Sequence, residues 1–180
     1  MLPRPSRLAA TAALVVVLPL TACGQADDTP VGTEAPLEVT TPTAAPKEEF
    51  KVEHRGEKVT TDELTGEPVE DPAMELTYKW QGTSSAPNGG TVVVVAVTNR
   101  SDVPVPVEAI EQPTLRYGSG SNKTEARPQS AEAAGVDIIG IDEPLAPFAT
   151  VNAKYAFDVR PGNLGNAEFT IGNVTFSGSL

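Results

Sequence analysis

Between residues 151 and 159 the chain alternates with a period of two: Val151, Ala153, Tyr155, Phe157 and Val159 are apolar, with Asn152, Lys154 and Asp158 between them. That period puts one set of side chains on one face of an extended strand, and a helix, with its period of 3.6, cannot satisfy it. The same alternation occurs at Met74, Leu76, Tyr78 and Trp80, separated by Glu75, Thr77 and Lys79. Between the two, residues 91–97 read Thr-Val-Val-Val-Val-Ala-Val. A β-branched run with no polar face predicts the central strand of a sheet covered on both sides.

Shorter segments fill in the rest. Phe50 and Val52 alternate with charge and Val59 follows, which predicts one short strand ahead of the main domain; residues 61–72, rich in acids with Gly66 and two prolines, read as a loop. Residues 81–90 end in the turn cluster Pro87-Asn88-Gly89-Gly90. Thr98-Asn99-Arg100-Ser101-Asp102 stops the valine run with side chains suited to local hydrogen bonds. Val103, Val105 and Val107 share a face, but Pro104 and Pro106 have no N–H to donate, which predicts a strand at a sheet edge. After a short strand at Leu115 and Tyr117, residues 118–135 hold nothing larger than Ala on the apolar side. A loop that long is read as mobile first and functional second. Residues 136–141 are a strand or an irregular buried connection, and residues 160–163 a turn. Ala167, Phe169 and Ile171 keep one parity while Val174 and Phe176 keep the other. The shift at Gly172-Asn173 requires a β-bulge or a two-residue hairpin. With no amphipathic helix of ordinary length after residue 23, roughly seven short strands predict an all-β domain, an antiparallel two-sheet sandwich.

Ahead of this domain, Arg4 and Arg7 precede an apolar run over residues 8–20, which ends in Leu20-Thr21-Ala22-Cys23 followed by Gly24. A charged start, an apolar middle and a small-residue end make an export signal. The run is shorter than the ~20 residues that a membrane-spanning helix needs. Cys23 is the only cysteine in the 180 residues. The segment Leu20, Thr21, Ala22, Cys23 resembles a bacterial lipobox. The resemblance implies signal-peptidase cleavage between Ala22 and Cys23 and diacylglycerol on the Cys23 thiol, with the new amino terminus open to acylation. It makes the chain a lipoprotein held by Cys23 on the extracytoplasmic face of the cell membrane. Acyl chains contribute about 0.8 kcal/mol per buried methylene, so two or three of them anchor stably where one binds marginally. A lipidated Cys23 leaves no cysteine for a disulfide, and stability rests on packing.

The expected organisation is a signal peptide over residues 1–22, a tether over 23–48 and the sandwich over 49–180, with its core from about residue 73. Residues 24–48 are mostly Thr, Pro, Ala, Asp and Glu. Such a stretch buries too little to offset its ordering entropy and is expected to be a disordered spacer. As a free coil of this length it spans about 25 to 30 Å. After residue 22 the chain carries 11 basic and 24 acidic side chains, −13 in all, against −11 for the whole sequence. Residues 27–71 account for −9 of that. This charge argues against nucleic acid and against a peripheral grip on anionic lipid headgroups.

The order of residues 91–97, Thr98 to Asp102, residues 103–107, Leu115, Leu145-Ala146-Pro147 and residues 151–157 is similar to the immunoglobulin-like DUF4352 domain of Gram-positive surface lipoproteins and to secreted antigens of the MPT63 type. Members commonly place Gly after the Pro of the turn, where this chain has Phe148-Ala149. The resemblance implies an immunoglobulin-like sandwich at the cell surface and transfers no catalytic residue.

Catalytic patterns do not stand out. His54, the one histidine, lies in a charged stretch and reads as solvated. There is no Gly-x-Ser-x-Gly and no His or Cys spacing for a metal, so neither catalytic residue nor cofactor is expected. Asp142 and Glu143 are adjacent and would point to opposite faces of a strand; Asp137 with Asp142 could serve calcium only without the ligand ladder of an EF-hand. Trp80, Tyr155 and Phe157 read as core. The sequons at Asn99, Asn122 and Asn173 read as accidental. Two functions from different classes remain. One is a non-enzymatic module that binds a protein or envelope component, with residues 118–135 as the candidate loop. The other is a small-ligand carrier or sensor with a cavity between its sheets.

Overall fold

A computed structural model of the protein describes residues 48–56, 58–120 and 122–180. Among the described residues ten strands form two five-stranded sheets, and the helical structure is one four-residue α-helical turn and two three-residue 3-10 turns. The strands are β1 (Val59–Thr61), β2 (Pro68–Glu70), β3 (Leu76–Ser85), β4 (Thr91–Asn99), β5 (Thr114–Tyr117), β6 (Thr124–Glu125), β7 (Pro128–Gln129), β8 (Thr150–Phe157), β9 (Ala167–Ile171) and β10 (Val174–Gly178). One sheet has the order β1-β10-β9-β5-β6 and the other β2-β3-β4-β8-β7. All pairings are antiparallel except β1 with β10, which run parallel. The domain is an all-β sandwich, as the alternating segments require.

Its centre is aromatic. Leu76, Tyr78 and Trp80 of β3, Val93, Val95 and Val97 of β4, and Ala153, Tyr155 and Phe157 of β8 face Leu115, Phe169, Ile171, Val174 and Phe176 of the other sheet, all buried. The Phe169 ring lies 5.9 Å from Trp80, 6.0 Å from Tyr155 and 6.1 Å from Phe157, centroid to centroid. Pairs of this kind contribute about 0.5 to 1.5 kcal/mol each beyond the area that they bury.

The valine run is the central strand of its sheet, and both its faces are covered. Val92 and Ala96 point away from the aromatic core, and Val92 packs with Ala86, Ala134 and Ala156, with Val136 and Ile139 at the margin. The cover comes from the segment expected to be a long mobile loop. Residues 118–135 instead hold β6, β7 and a short helix α1 (Ala131–Ala134), started by Ser130 Oγ accepting from Ala133 N. From this segment Ala134 is the side chain packed on the outer face, and its small size lets α1 lie close against the sheet.

Other expectations change in ways the backbone explains. β3 continues to Ser85 through a register shift between Trp80 and Gly82, so the turn shrinks to residues 86–90. The early strand is Val59–Thr61 alone, without Phe50 and Val52, and the loop over 61–72 contains β2. Residues 103–107 form no edge strand. With Pro104 and Pro106 unable to donate, no continuous ladder forms, and Val105 alone exchanges two hydrogen bonds of 2.9 Å with Leu145. Residues 136–141 are an irregular, half-buried connection with one bridge, Gly140 to Lys154. The parity shift at Gly172-Asn173 is a two-residue hairpin, with Ile171 opposite Val174. Gly172 has φ +53°, and a Cβ there would collide with Tyr78 Oη and come within 2.8 Å of Asp71 Oδ2.

Candidate interaction surface

One end of the sandwich gathers the start of β3, the end of β4, the start of β8 and the β9–β10 turn. Two buried polar knots close it. In the first, Asn99 Nδ2 donates to the carbonyls of Val103 (2.8 Å), Leu145 (3.1 Å) and Ala146 (3.1 Å). Asn99 Oδ1 accepts from Ser101 N (2.9 Å) and Ser101 Oγ (2.7 Å). In the second, Asp71 Oδ1 accepts from the backbone N–H groups of Ala73 and Met74 and from Asn173 Nδ2, and Asp71 Oδ2 accepts from Asn173 N, each at 2.9 Å. Asn173 also donates to Glu53 O (2.8 Å) and accepts from Arg55 N (2.6 Å), while Lys58 Nζ donates to Gly172 O (2.7 Å). The chain thus reaches β1 across this end, fastened at residues 53–59.

Tyr78 Oη is buried beside the second knot without a hydrogen bond. Burial first, then the Asp71 carboxylate, keep this phenol protonated far above its ordinary range. Tyr155, also in the core, is pushed up to about 12 by burial alone. On the surface, the hydrogen bonds of Thr65 to Glu63 hold that carboxyl below its usual range.

The first knot shapes what the end displays. Pairing of Val105 with Leu145 sets Pro104, Pro106 and Pro144 side by side and exposed. With Glu48, Glu49 and Phe50 they line an open groove of about 470 Å³. Beyond Leu145 the chain turns at Ala146-Pro147-Phe148-Ala149, closed by Ala149 N donating to Ala146 O at 3.1 Å. Phe148 has φ +57°, the only positive φ of a non-glycine among the described residues, and is 70% exposed. Proline second and a positive φ third is the pattern of a type II turn, whose third position suits glycine. A bulky side chain there costs on the order of 1 to 2 kcal/mol. The turn is held at both ends, because Asn99 Nδ2 donates to the carbonyls of Leu145 and Ala146 and Asn99 N donates to Ala149 O at 2.9 Å.

The other residues singled out in the sequence do not converge. Leu20, Thr21, Ala22 and Cys23 lie outside the described residues. His54 Nε2 stands 3.9 Å from Glu111 Oε1, a long surface contact. Asp137, Asp142 and Glu143 are exposed, and among the described residues no group of three or more acidic, His or Cys side chains is placed to hold a metal ion. Trp80, Tyr155 and Phe157 are in the core. Asn99 and Asn173 are fully buried and closed to modification as folded, whereas Asn122 is exposed. Phe148 is not among the candidate site residues of the sequence; the signal for it there is a bulky side chain directly after Pro147, at a turn position that suits glycine.

The structure therefore defines an all-β sandwich domain with a rigid apolar display at the end where the chain arrives. Compared with protein-family models, with curated proteins and with solved structures, the chain finds no match.

Proposed function

We propose that this is a lipoprotein, anchored through Cys23 on the extracytoplasmic face of the cell membrane, whose non-catalytic sandwich binds a protein partner. The immunoglobulin-like family resemblance belongs to the same reading, as does the tether over residues 23–48. Phe148 carries the binding part of it. A local cost that folding does not recover, spent on presenting an aromatic ring to solvent, points to a contact made with something else. The cysteine that is unique in the chain and stands behind an export signal supports the anchor.

Packing favours this over a carrier. Aromatic rings occupy the space between the sheets where a carrier would need its cavity. The cleft above Tyr155, between residues 107–113 and 139–141, measures about 110 Å³, below the ~300 Å³ at which ligand pockets begin, and the larger groove of about 470 Å³ is an open surface feature rather than a cavity between the sheets.

Two measurements test the proposal. Acyl labelling with membrane fractionation is expected to lose both label and membrane association in Cys23→Ala; retention of both removes the anchor. Photo-crosslinkers placed in living cells at exposed positions over the whole domain are expected to trap a reproducible protein. No adduct from any position removes the interaction module.

A further inference from the structure

We propose, resting on the reading above, that the groove and the Phe148 turn together receive a polypeptide segment in which an arginine or lysine sits beside apolar residues. Charge decides among the occupants. Glu48 and Glu49 line the groove, and Asp102, Glu108 and Glu143, all exposed, stand within two residues of Pro104, Pro106 or Pro144. Lys47, Lys51 and Arg100 are the basic side chains closest in sequence to the same segments, fewer than the acidic ones. A second copy of this chain would bring the same acidic rim against itself, and an anionic lipid surface would be repelled in the same way. A cationic partner is drawn in.

The lining decides the rest. Three pyrrolidine rings and Phe50 offer an apolar floor that suits aliphatic or aromatic side chains and gives a phosphate polymer no donor. Pro104, Pro106 and Pro144 donate no N–H along this rim, so a guest does not add as a strand and is held through its side chains. Phe148 then completes the site. Its exposed ring face takes a guanidinium or ammonium by cation–π attraction, and Glu143, exposed five positions earlier in the chain, carries the complementary charge. Because the Asn99 knot already holds the turn, little ordering is left to do on binding.

Selection of random linear peptides against the full-length protein in lipid nanodiscs tests this. Enriched peptides are expected to carry Arg or Lys next to apolar residues. Their affinity is expected to fall about tenfold or more in Phe148→Gly, as for an interface anchor, and to fall further with salt in the wild type than in Glu143→Lys. Phe148→Gly keeps the turn and removes the unfavourable φ, so its Tm is expected to stay level or rise; loss of binding without loss of folding is what a merely structural Phe148 would not produce. Enriched peptides without basic residues, an unchanged affinity in Phe148→Gly, or no enrichment at all would overturn the inference. Crosslinking in cells separates this failure from that of the wider reading: adducts from other surfaces but not from residue 148 remove this site and leave the interaction module standing.

Discussion

Asn99 and Asn173 lie at the same end of the sandwich, both fully buried, and they hold different things. Asn99 bonds only neutral groups, among them carbonyls that shape the turn before β8. Asn173 is paired with a carboxylate, Asp71, and its remaining bonds fasten an incoming stretch that has no strand partner before Val59. The first knot preorganises a surface; the second anchors an arm. The difference teaches that buried asparagines are placed where irregular backbone has to be satisfied, because each unpaired buried group costs about 1 to 3 kcal/mol.

Removing the carboxylate is the largest way to break this comparison. Asp71→Ala leaves the N–H groups of Ala73, Met74 and Asn173 and the Asn173 amide without their acceptor at once, an expected loss of about 3 to 5 kcal/mol. Urea unfolding reads the loss. Hydrogen exchange is expected to rise at Arg55 and Val59 while Val105 and Leu145 stay protected. If protection is lost equally at both places, the two knots are one unit. Asn99→Ala is expected to cost about 2 to 4 kcal/mol with the opposite pattern, faster exchange at Ser101 and Ala149 and little change at Val59.

Alkaline titration sharpens the comparison, because a phenol sits beside the charged knot and another stands apart from it. For both Tyr78 and Tyr155 the folded value is raised, so above about pH 10 the unfolded chain releases its phenolic protons first and stability falls as pH rises. The Tyr155 share, from its ordinary 10 to about 12, corresponds to roughly 2 to 3 kcal/mol, complete near the upper value. Tyr155→Phe is expected to remove that share in urea midpoints measured across the range, and Tyr78→Phe to remove a decline that continues beyond it. A flat profile in the wild type would mean that neither phenol is held protonated by the fold.

Legibility followed the range of the forces involved. Strict alternation named β8 almost to the residue, and the all-β sandwich followed from the recurrence of such segments, since period-two burial is a local property of the chain. β-Branching marked β4 as central and doubly covered. Residues 118–135 misled because small polar residues carry no periodic signal, and their role as a lid over the outer face exists only once the sheet is there to be covered. Prolines at 104 and 106 are legible as unable to donate, but whether that produces an edge strand or a lone bridge depends on Leu145, some forty positions away.

By itself, then, the sequence determined the long alternating strands, their buried faces, the single cysteine and the acidic charge, all of which are written in neighbouring residues. Only the tertiary structure decided that Asp71 meets Asn173, that Asn99 reaches residues 145 and 146, and that Phe148 is held open to solvent. The reason is physical: hydrogen bonds across 46 to 102 positions depend on where the sheets bring their ends, and no spacing within the chain encodes that distance.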